Sequence, residues 1–312
     1  AARGAGTAAG PAAIPRSRRD SDWTAAPVRW HPAPMKNLVH ALLAAALLAA
    51  QPATAGDAPR PAQWQPDGIE VDVELVLAVD VSRSVSPNEL EIQRRGYAEA
   101  ITSPEVLEAV RNGLLGRIAV TYMEWAGTWA QRTVVDWTVI ETEDDARAFA
   151  AALTARFDPT LRRTSISAAL LSAAEAFDDN GYDGLRQVID ISGDGPNNEG
   201  LPVLEARDTV LARGIVINGL PLMTREGLGS QWHLDDLDAY YRACVIGGPG
   251  AFALPVTDWA QFAEAVRRKL VMELVGGPGP RVWRAQAAAP GSYDCLIGEK
   301  IWERNRRYWD GP

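Results

Sequence analysis

The stretch that most limits what this chain can become is Val73-Glu74-Leu75-Val76-Leu77-Ala78-Val79-Asp80-Val81-Ser82-Arg83-Ser84. A strand that is apolar at nearly every position must be covered on both faces, as in the middle of a parallel sheet flanked by helices. The run turns polar at Asp80, Ser82 and Ser84. In such a strand that is the carboxyl end, where open α/β sheets hold their ligands. One carboxylate and two hydroxyls at i, i+2 and i+4 offer only oxygen donors, the kind that hard cations prefer. The plainer reading makes the same three residues strand-end turn formers.

The rest of the chain supplies the partners such a strand needs. Ser86-Pro87-Asn88-Glu89 has a capping serine, a proline at the first helical position and a glutamate at the third. That predicts a helix running on through Leu90, Ile92, Tyr97 and Ile101. Pro104 opens a further turn or two, ending near Gly113. Residues 116–125 and 133–138 read as strands with too few residues between them for a helical crossover, so they form an antiparallel pair. Helices are expected over 143–157, 164–177, 201–213 (stopped by Gly214), 234–241 and 259–274. Strands are expected over 187–191, 215–220 and 252–256. This alternation implies a mostly parallel sheet covered on both faces, with one antiparallel strand.

The front of the chain is not fold. Met35-Lys36 opens a Leu-, Ala- and Val-rich run from Leu38 to Ala50, followed by Ala53-Thr54-Ala55. A charged start, an apolar stretch too short to span a bilayer and an A-x-A site make a secretory signal peptide over 35–55, cleaved after Ala55. Residues 1–34, rich in Ala, Pro and Arg, read as an upstream segment outside the native protein, with Met35 the true start. A twin-arginine signal is the alternative, although Arg18-Arg19 lies far from the apolar run. Residues 56–70 read as a linker, 71–275 as the folded domain and 276–312 as a Pro-, Gly- and Ala-rich tail ending in Trp and Arg residues. No later stretch is apolar for long enough to cross a bilayer, so the mature chain is expected in the periplasm or outside the cell.

Cleavage at that point leaves 25 basic and 38 acidic residues, moving the formal charge from −9 to −13. Such a balance lacks the basic footprint of a nucleic-acid binder. It also leaves one histidine, His233, which excludes a multi-histidine zinc site. There is no Gly-x-Ser-x-Gly elbow, phosphate-binding loop or dinucleotide fingerprint. The two cysteines, Cys244 and Cys295, read as a disulfide in an exported protein, closing a loop of about 50 residues worth roughly 2–4 kcal/mol. Two buried thiols are the alternative.

Asp80-x-Ser82-x-Ser84, Thr164 at a helix start and Asp194-Gly195 after a central strand together resemble the metal-ion-dependent adhesion site of von Willebrand factor A-like domains. More narrowly, the segments 192–198, 217–221 and 245–252 are similar to a bacterial family catalogued as domain of unknown function 1194. The resemblance implies a three-layer, doubly wound α/β fold. Its six-stranded, mostly parallel sheet would have strand order three-two-one-four-five-six and one antiparallel edge strand. It also implies a metal held by Asp80, Ser82, Ser84, Thr164 and Asp194. That metal would be Mg²⁺, with Mn²⁺ or Ca²⁺ as alternatives, and its open position would accept an Asp or Glu from a partner protein.

Two features depart from the family pattern. Arg83 stands where glycine is frequent, and Arg162-Arg163 precede Thr164 in place of glycines. These arginines and Asn197 are expected at the rim of the site, and the arginines would steer an acidic partner. Solvated surface charge is the alternative. Asp190, inside an apolar strand, is expected to be structural, and the acidic segment 178–184 is expected to be a turn. Glu124, Trp125, Trp129 and Trp137 cluster on the hairpin and are assigned to packing in preference to a contact surface. The expected function is metal-dependent protein binding. The alternatives are a periplasmic hydrolase using the metal or His233, and a structural domain with a degenerate site.

Overall fold

The apolar run becomes β2 (Glu74–Asp80), with every residue buried, at the centre of a five-stranded sheet. The structure, a computed structural model, describes residues 68–82, 84–155, 162–224, 234–276 and 293–309. The leader segments expected over 1–55, most of the linker, Arg83 and His233 lie outside these residues. Leu75, Leu77 and Val79 enter one core and Val76 and Ala78 the other, the period-two alternation of a strand covered on both sides. Each such side chain contributes roughly 1.5–3 kcal/mol on burial, so this strand ties the two cores together.

The other sheet strands are β3 (Ile118–Trp125), β4 (Gln131–Ile140), β6 (Gln187–Gly193) and β7 (Val216–Pro221). Their order is β4-β3-β2-β6-β7, parallel except for the β3–β4 hairpin. Counted by sheet strands alone this is three-two-one-four-five, so the first and fourth strands lie side by side at a switch point. The sixth place is filled by residues 252–256, which meet β7 and the residue after it through isolated parallel bridges at Gly219–Ala253 and Leu222–Val256. Gly219, Leu254, Val256 and Met223 N–H all bond across this edge, but Pro221 has no N–H to give Leu254 O, so the ladder to the sixth strand is broken.

Helices α1 (Pro87–Ile101), α2 (Pro104–Arg111), α3 (Glu143–Thr154) and α7 (Phe262–Leu274) cover one face. On the other lie α4 (Ile166–Glu175), α5 (Val203–Ala212) and α6 (Leu237–Tyr240), the last running into a π-helical turn at Tyr241–Val245. The result is the expected three-layer, doubly wound α/β fold. The capping box is present: Ser86 accepts from Glu89 N–H at 3.3 Å, and Glu89 accepts from Ser86 N–H at 2.6 Å. Helices α1 and α7 approach so closely at Gly96 that an added Cβ would stand 2.5 Å from the Phe262 ring.

Three local features differ from the sequence reading. The opening strand, expected over 71–80, is split by Asp72, whose carboxylate accepts from Leu115 N–H at 2.9 Å and Arg117 N–H at 3.3 Å. This leaves a separate β1 (Ile69–Val71), parallel to β5 (Tyr182–Gly184), so the segment read as a turn ends in a short strand. Glu74 interrupts the apolar run because it serves the same region, accepting from Gly184 N–H at 2.8 Å and Asn180 Nδ2 at 2.5 Å. The tail contains a 13-residue helix, α8 (Ile297–Trp309), preceded by the Cys244–Cys295 disulfide with its Cα atoms 5.6 Å apart.

Two buried ionic clusters lie in the domain. Arg94 donates to Glu124 at 2.6 Å, and Arg132 donates to the same carboxylate at 2.9 Å. Lys269 lies 2.5 Å from both Asp190 and Glu273, all three side chains being fully buried, and this makes Asp190 a structural acid. Trp125 is in the core, while Trp137 packs on Phe177 and donates to Ala176 O at 2.8 Å. Trp129 departs from the packing expected of it and is 96% exposed.

Candidate metal centre

Three loops meet at the carboxyl end of the sheet, beside the switch point between β2 and β6. The first follows β2. Asp80 is its last residue and is wholly buried, and its Oδ1 accepts the Ser82 backbone N–H at 2.7 Å. This local bond turns the chain so that the Ser82 and Ser84 hydroxyls stand 2.9 Å apart. The third loop follows β6, and here Ser84 Oγ donates to Asp194 Oδ1 at 2.8 Å. Residues 110 apart in sequence are thus in direct contact because their strands are neighbours.

The second loop delivers Thr164 at the start of α4. Ser165 caps that helix, accepting from Ala168 N–H at 3.3 Å, and its hydroxyl donates to Glu199 O at 2.9 Å. Asn198 clamps the second loop to the third: its N–H donates to Thr164 O at 2.9 Å, and its Oδ1 accepts from Thr164 N–H at 3.2 Å. Ser84, Thr164 and Asp194 line one small cavity of about 20 Å³, with Gly195, Pro196 and Asn198 beside them. That is space for about one water or ion. The five expected residues therefore converge: Asp80 and Ser82 stand behind Ser84, and the other three face the cavity.

The electrostatics of this cluster weigh against two ionised carboxylates side by side. Asp80 Oδ2 is buried without a hydrogen-bond partner. Burial, and then the nearby Asp194 charge, push the Asp80 carboxyl well above the usual carboxylate range, against donors from Ser82 and the Asp194 backbone. A divalent ion would relieve both causes, since it attracts the two carboxylates and replaces their lost hydration. Two carboxylates and three hydroxyls form an all-oxygen set suited to Mg²⁺, Mn²⁺ or Ca²⁺ and poorly suited to softer metals. No group of three or more His, Cys, Asp or Glu able to hold a metal occurs among the described residues, so a site here depends on its hydroxyls.

The residues assigned to the rim separate. Arg162 is exposed. Arg163 adopts φ 75°, its guanidinium carbon lies 3.6 Å from the Trp302 ring centre, and it reaches Glu199 at 3.9 Å. Asn197 is not at the rim. It is fully buried, accepting from Ser167 N–H at 3.0 Å and donating to Leu201 O at 3.1 Å and Glu299 Oε1 at 2.7 Å. Its side chain holds α4, the third loop and α8 together.

The sequence reading missed that last participant. Gly298 and Ile301 of α8 complete the lining of the cavity. The available signal was Ile297 and Ile301 one turn apart, with Asp294 just ahead of them in a segment free of Pro. Behind the site Gly193 is obligatory, since an added Cβ would lie 2.8 Å from the Tyr241 hydroxyl and 3.1 Å from Asp80 Oδ2.

Residues 70–278 match the family described as "Protein of unknown function (DUF1194)". No curated protein matches the chain. Similar solved structures include the pilus adhesin SpaC from Lactobacillus rhamnosus GG, at 11% identity and TM-score 0.48, covering 65% of this chain and 30% of that one. Another is proximal thread matrix protein 1 from the mussel byssus with a zinc-occupied MIDAS motif, at 14% and 0.46, covering 67% and 49%. A von Willebrand factor type A protein from Catenulispora acidiphila aligns at 13% and 0.45, covering 66% and 43%. This chain spans less than half the length of each of the three.

Proposed function

Starting from the premise that this chain belongs to the DUF1194 family, we propose that it is an exported protein-binding module. In this reading a divalent ion at the three loops accepts an acidic side chain from a partner. The observation that carries the proposal is the direct Ser82–Ser84–Asp194 hydroxyl and carboxylate chain beside the unpartnered, buried Asp80 Oδ2. Ser82, Ser84 and Thr164 would hold the ion through neutral oxygens, and Asp80 and Asp194 would balance its charge. When bound, the ion supplies an electrophile with an exchangeable position that a carboxylate oxygen can fill. The chain's own contribution is preorganisation. Ser82 N–H fixes Asp80, Asn198 fixes Thr164, and Gly193 gives the Asp80 carboxyl its space.

Mg²⁺ is the ion of choice, with Mn²⁺ and Ca²⁺ as alternatives, and the partner is a protein that presents Asp or Glu. Export follows from the leader over 35–55. N-terminal sequencing of the exported protein is expected to begin at Gly56. Titration calorimetry of the mature protein tests the site: Mg²⁺ or Mn²⁺ is expected to give a saturable heat that disappears in Asp80→Ala and in Asp194→Ala. A heat that survives both substitutions, or none in the native protein, would overturn the reading.

A further inference from the structure

The face on which a partner's acid would reach the metal loops is already covered by this chain's own C-terminal helix. Ile301 is buried against the cavity that Ser84, Thr164 and Asp194 line, and Gly298 lies on the loop that follows Asp194. The fit at Gly298 is close: an added Cβ would stand 1.9 Å from Asn197 O and 3.1 Å from Pro196 Cβ. Glu299 accepts from Asn197 Nδ2 at 2.7 Å, and the Trp302 ring lies under the Arg163 guanidinium. The remaining volume, about 20 Å³, admits a water or an ion and excludes a protein side chain.

The hold is nevertheless confined to one face of the helix. Among residues 297–306, Gly298 and Ile301 are buried and Ile297, Glu299, Trp302 and Asn305 half-buried, while Lys300, Glu303, Arg304 and Arg306 are exposed. The strong attachment lies before the helix, at the Cys244–Cys295 disulfide, with Tyr293 packed on Tyr240 beside it. A helix held by one face of its body and covalently at its root can leave a surface without being lost from it.

We propose that α8 is a tethered cover of the metal loops. Docking of a partner requires α8 to lift, and the disulfide keeps it at high local concentration for return. The inference rests on reading these loops as the docking face, and the test separates the two ideas. Gly298→Ala is the informative variant, because alanine strengthens the helix itself while its methyl cannot fit against Asn197. Trp302→Ala is the second, removing the stack on Arg163. Lys300→Ala, at an exposed residue paired with Asp294, serves as the control.

Amide exchange over 195–200 reads the cover without any metal. It is expected to accelerate about tenfold in Gly298→Ala and in Trp302→Ala, and to stay unchanged in Lys300→Ala. Mn²⁺ then serves as the probe of the site. Its stripping by EDTA from the mature protein is expected to accelerate about tenfold in the same two variants. Exchange and stripping both at native rates in Gly298→Ala and Trp302→Ala would overturn the proposal. Accelerated exchange without Mn²⁺ binding that depends on Asp80 would end the metal reading and leave α8 established as the cover of this face.

Discussion

Glu273 gives this protein a stability that declines as pH rises, and the cause can be worked from its surroundings. It lies on α7 one turn after Lys269, and the two meet Asp190 on β6 and Asn218 on β7. One cation faces two buried acids, with the Tyr97 phenol of α1 near enough to feel both. Burial, and then the Asp190 charge, push the Glu273 carboxyl up to about 7, against Lys269 and the Asn218 hydrogen bond. Asp190 is also raised, chiefly by burial. The folded state thus keeps a proton that the unfolded chain, with its ordinary glutamate near 4.5, has released. Between about pH 4.5 and 7 the folded protein binds more protons, so stability falls as pH rises and levels off above that window. The shift corresponds to about 3 kcal/mol, shared with Asp190 because the two acids titrate as a pair. Urea unfolding in EDTA from pH 5 to 8.5 reads this directly. Glu273→Gln keeps the shape and leaves Lys269 paired with Asp190 alone. Its stability relative to the native protein is expected to be about 3 kcal/mol more favourable at pH 8.5 than at pH 5. Parallel curves for the two proteins would refute the argument.

Three further substitutions probe other parts of the structure. Gly193→Ala drives a Cβ into the Tyr241 hydroxyl and Asp80 Oδ2, and is expected to cost about 1–3 kcal/mol in denaturant unfolding and to weaken Mn²⁺ binding. Arg94→Leu removes the fully buried partner of Glu124. Its loss is expected to cost about 1–3 kcal/mol by the same measurement, because Glu124 Oε1 stays buried without its donor while Arg132 still holds Oε2. The double substitution Cys244→Ser with Cys295→Ser removes the tether at the root of α8. It is expected to weaken retention of the helix by up to about 2–4 kcal/mol, seen as faster amide exchange over 297–306 with β2 and β6 unchanged.

Much of the fold was legible because its governing signals are local. The apolar run at 73–84 requires two-sided cover, the Ser86 capping box starts α1, and the short gap before β4 forces a hairpin. The five loop residues were legible as a pattern, and the structure brings them together. Where the sequence reading fell short, the deciding interaction is tertiary. Three-residue strands such as β1 and β5 exist only because Asp72 and Glu74 pin neighbouring loops. Asn197 carries no mark in sequence that separates a surface turn from a buried bracket, and its burial follows from α8 lying over it. The Lys269–Asp190–Glu273 cluster joins residues about 80 apart that show no joint pattern. Helix α8 was hidden because its contact face is a glycine, one isoleucine and one tryptophan, too thin an apolar stripe to stand out beside a Pro-rich segment.

The position of β1 has a mechanical consequence. It pairs with β5 at the amino-terminal end of the sheet, so the chain enters the domain at the pole opposite the metal loops, while α8 lies over those loops. A pull applied between residues 68 and 309 therefore runs along the strands. At the sheet it loads parallel ladders in shear, where many hydrogen bonds must yield together. At α8 it peels contacts one after another, beginning at the carboxyl side of the helix. Peeling stops at Cys295, where a covalent bond takes the load. Tension on this chain would thus bare the loops early and at low force, with the sheet behind them still intact.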